Sequence, residues 1–206
     1  MTVPAQSDLR DKREAIIEAA RTLFSSHGYE ETTIAEIARA AGVGVGTVYL
    51  YFQNKRQILL EVSVSVSTGL ATVMQNPELL RVPIRQVPRL LIEESFRKCR
   101  ENVTVMSLYQ VNVPSPEEVS HLMSADRKIA DALDAYFQQA ISLGMIQPFD
   151  TKHYAGILTV LVGAVMKECF GVFHGEHEEE YREPLIEMIE RLFFGPPLQG
   201  GTAEPD

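Results

Sequence analysis

Between Thr32 and Lys55 the chain reads TTIAEIARAAGVGVGTVYLYFQNK, and its second half gathers side chains suited to non-covalent recognition. Thr47, Tyr49 and Tyr51 place three hydroxyls within five residues, and Lys55 adds a cation just beyond them. Hydroxyls and an ammonium suit the edges and phosphates of a nucleic-acid groove. Gly44, Val45 and Gly46 leave the start of this segment poor in hydrogen-bonding side chains. Val45 and Leu50 offer apolar contact only, as to a thymine methyl, whereas Tyr49 offers a ring and a hydroxyl. Direct base reading is therefore expected to be modest and to rest on Tyr49, with DNA shape supplying much of the rest.

Two short helices must hold these groups. Ile34, Ile37, Ala38 and Ala41 recur at i, i+3, i+4 and i+7, the stripe of a helix facing a core. Thr33 precedes the stripe with Glu36 three residues on, a capping box. Gly42 follows it, where a helix end favours a residue that tolerates positive φ. A second segment, Val45 to Phe52, comes after a turn of a few residues, giving the plan of a helix-turn-helix. Before it, Ala15, Ile16, Ala19, Ala20, Leu23 and Phe24 predict a helix from Arg10 to His27 that Gly28 closes. After it, Ile58, Leu59, Val62 and Val66 predict a fourth helix towards Asn76 and Pro77.

At these residues the chain resembles the TetR family of transcriptional regulators, whose pattern is roughly T-T-x-x-x-I-A-x-x-A-G-V-S-x-G-T-[LIV]-Y-x-Y-F-x-[NS]-K. Thr32, Thr33, Ile37, Ala38, Ala41, Gly42, Val43, Gly46, Thr47, Val48, Tyr49, Tyr51, Phe52, Asn54 and Lys55 stand in that register. Gly44 stands where serine is usual, and Val45 where a polar residue is common. The resemblance implies that Thr33, Thr47, Tyr51 and Lys55 lie against phosphates, that the fourth helix joins the DNA-binding and regulatory parts, and that the last two long helices pair with their copies in a second subunit. It also implies a repressor released when a small molecule changes a pocket and moves the fourth helix. Lys55→Ala would then lower the salt slope of DNA binding by about one per subunit.

The net charge of −9 is unevenly placed. Residues 1–60 hold seven basic and seven acidic side chains, the remainder twelve and twenty-one. The acidity thus lies outside the helix-turn-helix, leaving Arg10, Lys12, Arg13, Lys55 and Arg56 available for phosphates. The expected class is all-α: residues 1–54 as the DNA-binding domain, 55–195 as a helical regulatory, ligand-binding and dimerisation domain, and 196–206 as a disordered tail. No basic region followed by an apolar run marks a signal peptide, and the longest apolar stretch, Ala155 to Met166, is shorter than the roughly 20 residues a span needs. That stretch reads as a helix buried nearly all round. A cytoplasmic protein without a membrane partner is expected, with Cys99 and Cys169 as reduced, buried thiols.

Enzyme chemistry finds no foothold. No Ser/His/Asp set or carboxylate pair stands out. The run Gly42 to Gly46 follows a helix, whereas a phosphate-cradling loop follows a strand. His174 and His177 among Glu176 and Glu178 to Glu180 read as a solvated acidic loop without a third ligand at helical spacing, so neither metal nor cofactor is expected.

Further helices are expected from Val87 to Arg100, from Val103 to Val111, from a Ser115 cap with Pro116 and Glu118 to Leu143 (with a break near Ser124), from an Asp150 or Thr151 cap to Phe173, and from Glu178 to Phe194. Phe96, Cys99, Met106, Tyr109, Ile129, Leu133, Tyr136, Phe137, Leu161, Val165, Met166 and Cys169 are the candidates for an apolar effector cavity, with Tyr109, Gln110 and Tyr136 as polar handles. Arg97, Lys98, Arg100 and Lys167 are expected to point to solvent, which favours a hydrophobic or amphipathic effector over a sugar or a metal ion. For the homodimer face the candidates are Gly156 and Gly163 on one helix and Leu185, Met188, Ile189, Leu192 and Phe193 on the next. A helical scaffold that keeps the three-helix module without operator recognition is the alternative, since Gly44 and Val45 remove polar groups from the edge that enters the groove.

Overall fold

The computed structural model describes residues 6–105 and 115–195. Local signals set the element boundaries. α1 (Gln6–His27) ends at Gly28, whose φ of +85° suits glycine. α2 (Ile34–Ala40) opens on the Thr33–Glu36 capping box and gives way to Gly42 at φ +68°. α3 (Val45–Tyr51) starts from Gly44 without a side-chain cap. α4 (Lys55–Met74) is capped by Asn54, whose side chain accepts from the Gln57 amide. Two 3₁₀ turns, Pro77–Arg81 and Ile84–Gln86, lead into α5 (Val87–Glu101). α6 (Pro116–Ser142) begins at a second capping box, Ser115 with Glu118, and runs past Ser124 without a break. α7 (Thr151–Met166), capped by Asp150, continues into a π-helical turn, Lys167–Val172, and α8 (Glu178–Phe194) follows. The described residues contain no strand. The tail after residue 195 and most of the helix expected from Val103 lie outside the described residues.

Two cores form. In the first, Ile16, Ala20 and Phe24 of α1 meet Ile37, Ala38, Val48 and Phe52, and α4 adds Ile58, Leu59 and Val62. Val105, beyond α5, is fully buried in this same core. The second joins α5 to α8 through Ile92, Phe96, Tyr136, Phe137, Leu158, Met166, Phe170, Ile186 and Ile189. Helix α4 serves both parts. Its amino-terminal half belongs to the first core, while Leu60 and Val64 meet Ala125 of α6 and Ala71 meets Ile129 and Ala132. Numbering rises together along α4 and α6, so the two run parallel.

Helix α7 departs from the expectation of burial all round. Ala155, Leu158 and Met166 face the second core, whereas Ile157 and Val160 are 65% and 72% exposed. Of the most apolar 18 residues within Thr151–Val172 only 33% are buried by their own chain. Periodicity cannot reveal this, because an apolar side chain reads the same whether its cover comes from its own chain or from another.

Candidate DNA interface and effector cavity

On the helix-turn-helix, Val45, Tyr49 and Leu50 form an exposed face of α3, and Leu50 is 82% exposed. Val48, on the opposite side, is fully buried. Gly44 and Gly46 are exposed as well. A Cβ at Gly44 would meet only the Thr47 hydroxyl at 3.8 Å, and one at Gly46 would meet nothing within 4 Å. Packing therefore does not require these glycines; their effect is a bare backbone edge at the start of α3. Thr47 and Tyr51 are half-buried, and Tyr51 packs against the first core.

Two residues expected at phosphates are engaged inside the module. The Thr33 hydroxyl accepts from the Glu36 amide at 3.2 Å and lies 2.8 Å from Glu36 Oε2. Lys55 Nζ donates to the carbonyls of Tyr29 (2.6 Å), Glu30 (3.1 Å) and Thr32 (2.9 Å) and stands 4.4 Å from the centroid of the Tyr29 ring. Its three donors hold the loop between α1 and α2, so Lys55 leaves the phosphate set as a correction to the sequence reading. Arg13 likewise turns inward, 2.6 Å from Glu61 and over the Phe52 ring. Arg10 and Arg39 remain exposed on the module surface.

The module is tied to α6 by two charged joints. Arg56 of α4 grips Glu118 at 2.7 and 2.9 Å, while Glu61 of α4 receives Arg13 of α1 and lies 3.1 Å from His121 Nε2 of α6. The Arg56 guanidinium, aided by the Ser115 amide, pulls the Glu118 carboxyl down to about 2. A carboxyl depressed in the fold stabilises it fully above its ordinary value of 4.5, and that contribution fades as pH falls from there towards 2. Glu118→Gln should remove this part of the acid dependence and lower neutral stability by about 1–2 kcal/mol, allowing for screening at the partly exposed arginine. Parallel acid unfolding curves for variant and parent would contradict the assignment.

Between α4, α5, α6, α7 and α8 lies a cavity of about 160 Å³, far above the roughly 10–15 Å³ that one water needs. Of the expected lining, Cys99, Leu133, Tyr136 and Phe137 border it, as do Ile129 and Met166. Phe96, Leu161, Val165 and Cys169 do not. Phe96 and Cys169 are buried in solid core, Phe96 edge-on to Phe170 at 5.8 Å. Met106, Tyr109 and Gln110 lie outside the described residues. Burial pushes the Cys99 thiol up to about 12 and the Cys169 thiol up to about 11, so both are protonated, inert thiols. Burial also holds the Tyr136 phenol protonated, and its hydroxyl has no hydrogen-bond partner among the described residues.

Sequence reasoning missed Met74, Ile84, Leu91, Val162 and three charged residues, Lys98, Asp126 and Lys167, all of which border the cavity. Lys98 thus corrects the expectation that it faces solvent, whereas Lys167 is exposed as expected while also bordering the cavity. Arg97 does face outward, paired with Glu94 and Glu101, and Arg100 pairs with Glu178. Among the described residues no group of three metal-ligating side chains occurs, and Glu178 of the acidic loop is held by Arg100 and Arg182.

The candidate dimer residues separate into two sets. Leu185 and Ile189 are buried in the protomer's own core, so these two leave the interface set, while Gly163 is half-buried and borders the cavity. Met188 and Leu192 of α8 are 47% and 57% exposed and join Ile157 and Val160 of α7 as uncovered apolar side chains, with Gly156 half-exposed among them.

Residues 16–62, from the middle of α1 to the first turns of α4, match the family described as bacterial regulatory proteins, tetR family. The chain is 25% identical over 190 residues to the HTH-type transcriptional regulator YerO of Bacillus subtilis and spans 64% of that protein's length. It is 31% identical over 117 residues to the HTH-type transcriptional regulator TtgW of Pseudomonas putida, covering 57% of this chain and 75% of TtgW. In architecture it is similar to Thermus thermophilus FadR, a TetR-family transcriptional repressor solved with lauroyl-CoA, at a TM-score of 0.65 and 23% identity over 94% of this chain and 100% of that one. With the capped helix pair, the Gly42 turn and the exposed face of α3 in place, this chain belongs to the TetR family of bacterial transcriptional regulators.

Proposed function

We propose that this regulator is a homodimeric repressor whose operator affinity falls when an amphipathic small molecule fills the cavity between α4 and α8. One observation carries this reading: α4 and α6, which wall the cavity, are the helices that hold the DNA-binding module through its core and through the Arg56–Glu118 and Glu61–His121 joints. A ligand that fits the cavity better in one arrangement of α4 and α6 biases the position of both recognition helices. The mostly apolar wall favours a chain-like or aromatic body, and the FadR complex with lauroyl-CoA supports an acyl chain as its type.

A gel shift with the DNA upstream of the protein's own gene tests the reading. Specific retardation that dodecanoyl-CoA relieves supports it; retardation untouched by any amphipath removes the effector half, and no retardation removes both. In the same assay Tyr49→Ala should cost about 1–3 kcal/mol on the operator and less on random DNA, because the exposed phenol is the chief base-reading group left on α3. Equal losses on both DNAs would assign Tyr49 to the backbone instead.

A further inference from the structure

Lys98 sits differently from its neighbours. Arg97 and Arg100 are extended to partners on the surface, whereas Lys98 borders the cavity and its side chain is 24% exposed. Its seat is Gly69, in the carboxyl-terminal half of α4. A helical glycine costs about 1 kcal/mol relative to alanine, so a local gain should be found for it. A Cβ at position 69 would lie 3.2 Å from Lys98 Nζ and 3.6 Å from its Cε. The missing methyl lets the ammonium rest directly against α4.

The ammonium is poorly paired. Glu94 Oε1 is 3.6 Å away, too long for a hydrogen bond, and both Glu94 oxygens are held by Arg97 at 2.5 and 2.7 Å. No closer partner of Lys98 occurs among the described residues.

The cavity also has a direction. Because α4 and α6 run parallel, Ser67 and Asp126 lie towards the DNA-binding module, with Lys98 beside Gly69 and Lys167 just past the end of α7. The charged wall there sums to one positive charge: two lysines against one aspartate. Towards the far end the wall is Ile84, Phe137, Ile146 and Phe193. From Asp126 to Tyr136 the rise along α6 is about 15 Å, at 1.5 Å per residue.

We propose that Lys98, seated over Gly69, is the head-group anchor of the effector site, and that the effector is a long-chain carboxylate with its head beside α4 and its tail among the aromatic residues at the far end. The proposal rests on the amphipathic-effector reading and names the chemistry of its polar end. A carboxylate displaces Glu94 as the partner of the ammonium, bringing the ligand's charge against the helix shared by both parts of the protein.

Isothermal titration of the full-length protein with dodecanoate and with dodecan-1-ol separates head from tail. The parent protein should bind dodecanoate at least about tenfold more tightly, as a charge-assisted hydrogen bond implies. Lys98→Met keeps an apolar stem and should bring the two ligands level. Gly69→Ala retains the lysine but displaces its ammonium, and should weaken dodecanoate several-fold while sparing the alcohol. This second variant replaces a helical glycine with a better helix former, so it keeps the test decisive if Lys98→Met fails to fold. Equal affinity of the parent for both ligands, or a preference that survives in Lys98→Met, overturns the anchor and leaves the amphipathic effector standing. Binding of neither ligand by the parent overturns both.

Discussion

Val160→Glu should convert the protein to monomers of 23.0 kDa and weaken operator binding by at least about 100-fold. Val160 is the most exposed large apolar side chain of α7, and Ile157 on the same helix and Met188 and Leu192 on α8 are uncovered too. These residues lie on the two helices that the family resemblance pairs across a two-fold axis. A symmetric interface receives the substitution twice, so two carboxylates are buried without partners, each costing several kcal/mol. A single recognition helix then has to hold the operator alone. Met123→Glu, at an exposed site on α6, should leave the dimer intact. Light scattering decides the matter: a Val160→Glu protein that stays at twice the monomer mass places the subunit contact elsewhere.

The second large effect concerns Lys55. Its removal leaves three loop carbonyls without their common donor and loses the cation over Tyr29. Lys55→Ala should cost about 2–3 kcal/mol, in the range of hydrogen bonds to a charged group reduced by partial exposure, and lower the melting temperature by roughly 5–10 °C. The salt slope of DNA binding should be unchanged once the variant is assayed below its unfolding range, because the ammonium is not available to displace a counterion. A slope reduced by one per subunit with an unchanged melting temperature would return Lys55 to the phosphates. The residue type and position were legible in the sequence; its direction was not. A lysine after a helix-turn-helix reads as a phosphate contact until Tyr29, Glu30 and Thr32 are seen to aim their carbonyls at it.

The same distinction runs through the whole chain. Capping boxes at Thr33–Glu36 and Ser115–Glu118, the Gly42 turn and the Asp150 cap are set by neighbours within a few residues, and the sequence displayed them at the right places. Features set by the rotation of one helix against another were hidden. Leu185 and Met188 belong to one apolar stripe, yet the first is enclosed by its own chain and the second is not. Phe96 and Lys98 are two residues apart on α5; the aromatic one fills solid core and the charged one borders the cavity. Composition favoured the opposite assignment, because a lysine beside two arginines reads as surface. The signal that could have found Lys98 was Gly69, an unexplained glycine in a helix otherwise rich in Val, Leu and Ser.

Val105 has a bearing on how such regulators are recombined. It plugs the core of the helix-turn-helix from a position more than 40 residues beyond the end of α4's contribution to that core. The DNA-reading unit is therefore not a contiguous cassette. A fusion that grafts residues 1–62 onto a different sensor would leave a gap in this core unless the new partner offers a side chain of matching size. Exchange between family members should succeed where the recipient supplies a small branched residue at that point and yield insoluble hybrids where it supplies a charge, which makes this one valine a compatibility key between reader and sensor.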